Sequence, residues 1–544
     1  MAEGGLPHAR LGRRRLSRPG RPCRREGQEE HVHESRHDRR AATMAALGTG
    51  RFDVAVVGGG IIGLATAWEA ARAGYRVALV ERGDFACATS SASSKLAHGG
   101  LRYLAMGNIR LVRENHRERQ ALGRLVAPHH VRPLPFLVAL RRGGPHGRAA
   151  IGAGMLAYTA LSGFRDGIGR LVSPATAREY VPALRADGLT GCGFYHDHQM
   201  NDARLAVTTA MAAAQAGAVL LNHAEVTGLR TTRGRVSGVD VRDRLSGAEF
   251  GVDARVVVNA TGPWVDHLRR MEDPAAAPSV RLSKGAHLVL RRRAPWHAAV
   301  TTPVDDVRVS FALPWEGRLL LGTTDEPYEG DPAEVGVTAG DTEQILGEAA
   351  LAIEPDHLRR EDVLYSFAGL RVLPGGDQDT SHARRETVIS LGSRGMVSIA
   401  GGKWTTFRHI GRTVLGRLRG LLPERASVPG AVPLPGAGEP AAIGHVVSAT
   451  LPDLPADVVE HLVRQYGTQS HELLGLGLRD AALLERVHPE GPDIWAQVAY
   501  AADREWAVSA DDVLRRRTTL TVRGLDTPEI RARVESLLAT PART

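Results

Sequence analysis

The run Asp53-Val-Ala-Val-Val-Gly58-Gly59-Gly60-Ile-Ile-Gly63 constrains the fold of this 544-residue chain more than any other stretch. Val54 to Val57 are apolar and read as a buried parallel strand. Gly58, Gly60 and Gly63 then supply the G-x-G-x-x-G spacing. The first allows a tight turn, the second lets backbone approach a pyrophosphate, and the third lets helix and strand pack closely. Residues 63–73 predict a helix that Gly74 stops, and residues 75–80 a second strand. Glu81 ends that strand eighteen residues after Gly63, where an acid accepts from a ribose hydroxyl and disfavours a 2′-phosphate. A glycine triplet alone is weak evidence. Strand, glycines, helix, strand and acid together predict a dinucleotide-binding βαβ unit.

A chain this long exceeds one ordinary core, so two or three domains are expected. Cys23, Cys87 and Cys192 are too few and too scattered for a disulfide framework or a zinc site, which points to a reducing cytosol and to no metal. The net charge of +9 is concentrated at one end, because residues 1–44 hold eleven arginines against six acids. That segment lacks apolar periodicity and the apolar stretch of a secretory signal. Residues 1–50 are therefore expected to be a disordered basic arm or a start-site artefact upstream of Met44. Nucleic-acid binding would rest on this arm alone and is not expected. Of 69 basic residues only Lys95, Lys284 and Lys403 are lysines. All three stand in small-residue loops, either by chance or because a compact ammonium is needed where a guanidinium would not fit.

After Glu81 comes an irregular, hydroxyl-rich loop, Thr89-Ser90-Ser91-Ala92-Ser93-Ser94-Lys95, suited to lining a polar ligand. Residues 108–125 predict an amphipathic helix. Ala149 to Phe164 is uncharged, short for a membrane span and flanked by arginines; it reads as a buried helix or as an interfacial membrane helix. A helix over 202–216 and a strand over 218–222 precede a strand ending in Asn259-Ala260-Thr261-Gly262, which returns the chain to the nucleotide domain. Alternating strands over 281–324 predict an antiparallel sheet. Val397–Ala400 is a further strand ending at Gly401-Gly402-Lys403. Residues 423–440 read as a Pro/Gly-rich linker and 441–544 as a separate helical domain.

These motifs together make the chain recognisable. Ala88-Thr-Ser-Ser-Ala-Ser-Ser-Lys-Leu-Ala-His-Gly-Gly-Leu-Arg-Tyr103, Asn201-Asp-Ala-Arg-Leu205, Asn259-Ala-Thr-Gly-Pro-Trp264, Lys284-Gly-Ala-His287, Gly322-Thr-Thr-Asp325, Gly369-Leu-Arg-Val-Leu373 and Gly401-Gly-Lys-Trp-Thr-Thr406 stand in order along it. Glu505-Trp-Ala-Val-Ser-Ala-Asp-Asp-Val-Leu-Arg-Arg-Arg-Thr518 closes the series. Over residues 51–525 the sequence resembles the FAD-dependent glycerol-3-phosphate dehydrogenases of the D-amino-acid-oxidase-like flavoprotein superfamily. Two positions depart from that pattern: Asn201 replaces an acid before Asp202, and Val372 replaces a proline after Arg371.

The resemblance implies an α/β fold with a Rossmann-like FAD-binding domain (segments 51–107, 200–270 and 390–422). An antiparallel-sheet substrate domain (108–199 and 271–389) and a C-terminal helical cap complete it. FAD contacts are expected from Gly58, Gly60, Gly63, Glu81, Thr89, Ser90, Ser93, Ser94, Lys95, Gly99, Ala260, Gly262, Gly401, Gly402, Lys403 and Thr405. A helix N-terminus near Thr405 would stabilise negative charge on a reduced flavin. Arg102, Tyr103, Lys403 and Arg371 are the candidates for substrate, because a phosphate dianion calls for cations and donors. His287, Arg371 and Lys403 are the catalytic candidates, with His287 as general base. The expected reaction is oxidation of sn-glycerol 3-phosphate to dihydroxyacetone phosphate by hydride transfer to FAD. Electrons would pass to a membrane quinone, the enzyme lying peripherally on the cytoplasmic face of the cell membrane; a homodimer is left open. The rival readings are an oxidase that passes electrons to O2 and a non-catalytic FAD-binding protein.

Overall fold

The computed structural model describes residues 36–144, 147–305, 308–375, 387–425 and 430–539. Its first sheet has eight strands with a parallel centre. Arg51–Val57 lies between Val77–Val80 and Glu249–Asn259, with Val219–Leu221 beyond the one and Val397–Ala400 beyond the other. Successive side chains point to opposite faces, so the strand feeds two cores. Val54 and Val56 pack with Leu64, Leu205 and Phe407 from the helices Ile61–Arg72, Asp202–Gln215 and Phe407–Arg419. Ala55 and Val57 pack on the other side with Val239, Val241 and Leu47. Burial on both faces explains why the strand is apolar without alternation. The registers Val57↔Val80 and Val57↔Asn259 bring Gly58–Gly60, Glu81 and Ala260–Gly262 to one edge.

The second sheet has ten strands and is antiparallel except where Ala299–Pro303 runs parallel to Arg132–Arg141. Its longest pairing joins Val280–Arg291 to Val363–Pro374 and sets His287 opposite Phe367 and Ser283 opposite Arg371. The hydroxyl-rich loop spans the gap between the two sheets, since Leu96–Ala97 pairs with Leu189–Gln199 of the second.

Helices from Pro440–Thr450 to Pro528–Ala539 form a third body with its own apolar cores. Buried ion pairs fasten it to the first. Arg204 donates to both Glu505 oxygens at 2.8 Å, and Asp84 accepts from Arg516 and Arg517 at 2.5 Å. Removing one partner of such a pair leaves an unpaired charge, so this seam is costly to break.

Two expectations need correction. Residues 1–35 of the expected disordered arm lie outside the described residues, but Arg36–Thr49 is a helix. Leu47 is fully buried, Arg39 pairs with Asp503, and Arg40 pairs with Asp243 and donates to the Asn222 carbonyl. Average composition hid the one apolar face that docks and the acids that meet its arginines. The uncharged segment is not a buried helix either. Arg148–Leu161 buries Met155, Tyr158 and Thr159, while Leu156 on its far side is 58% exposed. Among the described residues no helix is long and apolar enough to cross a membrane.

Candidate active site

A cavity of about 1050 Å³ runs between the two sheets. Gly58, Gly60, Glu81, Ala260 and Gly262 line one end. Gly58 has φ +108°, and a Cβ there would stand 2.6 Å from the Ala260 carbonyl oxygen. Gly60 precedes the first turn of Ile61–Arg72, so that helix directs its N-terminal N–H groups at the cavity. The Glu81 carboxylate accepts the N–H groups of Gly59 at 2.6 Å and Gly83 at 2.7 Å. Burial holds its carboxyl above the usual range even so. Gly63 is not on the wall: a Cβ there would meet the Gly58 carbonyl at 2.0 Å, so its part is the close packing of helix on strand.

The hydroxyl loop forms the middle of the cavity, and each of its hydroxyls is tied to protein. Thr89 donates to the Leu370 carbonyl at 2.8 Å, Ser90 accepts from the Ile61 N–H at 2.9 Å, and Ser93 donates to Asp202 at 2.7 Å. Ser94 Oγ stands 2.9 Å from His287 Nε2. Lys95 departs from expectation. Its ammonium turns away from the cavity into a buried pair with Asp202 at 2.6 Å, beside the rings of Trp315 and Phe367. A left-handed backbone (φ +57°) at Lys95 makes that turn. Gly99 also lies behind the wall. Its N–H donates to Asp197 at 2.8 Å and a Cβ would stand 2.4 Å from Tyr158 Oη; Gly100 takes the wall position.

Tyr103, His287, Arg371 and Lys403 converge at the other end, beside Gly401, Gly402 and Thr405. Gly401 (φ +79°) and Gly402 (φ +110°) use conformations that glycine adopts freely. They turn the chain so that Lys403 Nζ sits 3.6 Å from the centre of the Tyr103 ring. Thr405 Oγ1 accepts the His98 N–H at 3.1 Å, and the Trp404 indole N–H donates to the Ser90 carbonyl at 2.9 Å. The turn Trp404–Thr406 leads into Phe407–Arg419. The side chain of Arg102 lies outside the described residues.

The guanidinium of Arg371 is held in place by Thr323 Oγ1 and the Thr324 carbonyl, both at 2.9 Å, and by Asp325 at 3.3 Å. A Cβ at Gly285 would stand 2.6 Å from its Nη2, so the glycine makes room for it. His287 is 3% exposed and stacks on Phe367 at 4.9 Å. Burial, with Arg371 and Lys95 nearby, pushes its imidazole down to about 3, so it is neutral at neutral pH. Lys284 bonds Asp341 at 2.8 Å and ties the His287 strand to the helix Ala339–Ala350.

Asp197 is the residue that sequence reasoning missed. It lines the cavity, is 2% exposed, and pairs with the buried Arg119. It also accepts from Tyr158 Oη at 2.9 Å and from the Gly99 N–H, so it anchors the loop that carries Tyr103. No spacing in the sequence marks it. Among the described residues one His/Asp group, Asp84–His223–Asp512, has its atoms close enough to share an ion. Arg516 and Arg517 already neutralise its carboxylates.

A glycine cradle at one end, a long slot and a second glycine turn at the other fit an extended flavin dinucleotide. Residues 53–408 match the family model described as FAD dependent oxidoreductase. Residues 427–540 match the C-terminal domain of alpha-glycerophosphate oxidase. The chain is 36% identical to glycerol-3-phosphate dehydrogenase 2 of Mycobacterium bovis over 497 residues, covering 90% of this chain and 85% of the relative. It is 34% identical to the mitochondrial glycerol-3-phosphate dehydrogenase of Rattus norvegicus, covering 90% and 70%. The X-ray structure of the Bacillus halodurans glycerol-3-phosphate dehydrogenase complexed with FAD superposes with a TM-score of 0.73 at 28% identity, covering 93% of this chain and 97% of that one.

Proposed function

The chain belongs to the FAD-dependent glycerol-3-phosphate dehydrogenase family and is an FAD-dependent enzyme that oxidises glycerol 3-phosphate, and we propose that it yields dihydroxyacetone phosphate and hands the electrons to a membrane quinone. The observation that carries the site reading is the convergence of Lys403, Tyr103, Arg371 and His287 at the end of the cavity remote from the glycine cradle. FAD, when bound, supplies the acceptor for the hydride from C2.

The side chains of this chain do the rest. Lys403, fixed over the Tyr103 ring by a cation–π contact, is a compact cation for the phosphate dianion, with the Tyr103 hydroxyl as a further donor. Arg371 faces the substrate hydroxyl from a guanidinium already held by the 323–325 loop, so little ordering is left for the transition state. His287 is neutral and is the group on which the proton released from the hydroxyl finally comes to rest. Glu81, Gly58 and Gly60 would hold the adenosine ribose and pyrophosphate, and the hydroxyl loop with Gly401 and Gly402 would line the rest of the FAD site.

The acceptor reading draws on the helix Arg148–Leu161. Its inner face lines the cavity through Ile151 and Met155, while Leu156, Phe164 and Ile168 are 58%, 58% and 61% exposed. Arg148, Arg165 and Arg170 are exposed around them. Apolar residues ringed by cations suit peripheral attachment to an anionic bilayer. Anaerobic titration of the purified protein with glycerol 3-phosphate tests the whole reading. The yellow flavin should bleach and a soluble quinone should restore it. Rapid reoxidation by O2 with stoichiometric peroxide, and none by quinone, would overturn the acceptor. A flavin that does not bleach would overturn the rest.

A further inference from the structure

His287 sits beside the cavity, yet neither of its ring nitrogens is presented to it unengaged. Nδ1 is sealed in the protein with no hydrogen-bond partner among the described residues, and Nε2 is taken up by Ser94 Oγ at 2.9 Å. Ser94 itself is half-buried and lines the cavity. A hydroxyl accepts one hydrogen bond while donating another, which makes it a proton conduit between two groups that do not touch.

Nor is Ser94 an idle loop serine. Both flanking positions are pinned by one buried carboxylate: Ser93 donates its N–H and its hydroxyl to Asp202 at 3.1 and 2.7 Å, and Lys95 pairs with the same group at 2.6 Å. The left-handed turn at Lys95 completes the clamp. The buried lysine that holds no cofactor thus has a use, which is to fix the hydroxyl beside it.

We propose that Ser94 is a catalytic residue that links the substrate hydroxyl to His287. The inference rests on the reading of His287 as the proton acceptor. As the C2–H bond breaks and its electron pair leaves with the hydride for the bound FAD, the O–H bond at C2 breaks and its proton passes to Ser94 Oγ. The proton of Ser94 passes in the same movement to His287 Nε2. The C2–O bond becomes the carbonyl, Ser94 ends as a hydroxyl, and His287 ends as an imidazolium. Burial beside Arg371 and Lys95 disfavours that cation, so the proton is not retained once product leaves.

The test uses the full-length FAD-loaded chain and the substitutions Ser94→Ala, Ser94→Thr and His287→Gln. Ser94→Ala should keep its flavin content and its KM for glycerol 3-phosphate and lose about 100-fold in kcat. Ser94→Thr, which keeps the hydroxyl, should recover most of the loss. The double variant Ser94→Ala/His287→Gln should be no slower than His287→Gln alone, because the two groups act as one unit. Nitrogen-15 NMR of histidine-labelled, substrate-free protein should find Nδ1 protonated and Nε2 an acceptor in the parent, with the Nε2 resonance moved by Ser94→Ala. Ser94→Ala within about threefold of the parent while His287→Gln is impaired would overturn the relay alone. Loss of bound flavin in Ser94→Ala would make the serine a cofactor contact, and the opposite tautomer would reverse the direction of the bond; either overturns the relay. Full activity in His287→Gln would sink the relay and the base assignment together.

Discussion

Under the proposed function the two ends of the cavity would recognise their ligands by different means. At the glycine end the recognising atoms are backbone, brought together by one loop and two neighbouring strand ends, and the side-chain requirement is chiefly the lack of a Cβ. At the far end they would be side chains from residues 103, 287, 371 and 403, gathered from three hundred positions of sequence by a short helix and the two sheets. The first design fails by collision. The second fails by loss of a charge or of the contacts that aim it. A backbone site is thus written in a short motif, whereas a side-chain site depends on the packing behind it.

The largest effect should come from pressing on the backbone end. Gly63→Ala places a methyl 2.0 Å from the Gly58 carbonyl. A misfit of about 3 kcal/mol corresponds to roughly a 100-fold loss in flavin affinity. The check is the flavin-to-protein absorbance ratio after dialysis, and a full flavin complement would break the comparison. Lys403→Met should spare that ratio and lower kcat/KM by about 30-fold, the value of one hydrogen bond to a charged group. Steady-state kinetics at fixed ionic strength decide it.

Asp197→Asn keeps shape and removes the charge that anchors Gly99, so KM should rise by about tenfold with flavin content unchanged. An equal fall in kcat with no change in KM would show that the loop carrying Tyr103 is not what the aspartate serves. The smallest effect separates architecture from chemistry. His129 and His130 are buried and held well below the usual histidine range by burial, His129 to about 3. The unfolded chain therefore takes up these protons first as pH falls below about 6.5. Their contribution to stability is intact above that pH and is lost progressively toward 3. Tm should fall by roughly a few degrees per pH unit in that window. A scan of Tm against pH that stays flat from 7 to 5 would contradict it.

The glycine end was legible because three glycines, a strand and an acid have few other uses in that order. The distant partners of the site were legible through the family resemblance, not through physics: nothing about His287 in an alternating strand distinguishes it from a core histidine. What stayed hidden was which way side chains point. Lys95 looks like a ligand residue among serines, but a left-handed turn sends it into the protein toward Asp202. Asp197 lies in a His-Asp-His alternation with no telling spacing, and only the sheet register brings it to Tyr158 and Arg119. The arginine-rich helix before the first strand was obscured because composition averages over a segment, while docking depends on single residues such as Leu47 and Arg40.

The threading of the parallel sheet also sets a clock. Arg51–Val57 is made early, but its neighbour Glu249–Asn259 comes two hundred residues later, and Asp84 meets Arg517 only 433 positions on. At ribosomal speeds of about 5–20 residues per second, that aspartate waits on the order of 20–90 s for its partner. During synthesis the nascent cofactor domain therefore carries open strand edges and an unneutralised acid until that late segment emerges. A chain interrupted before residue 517 lacks the guanidinium that closes the seam, so quality control acting on unsealed chains has a defined feature to read.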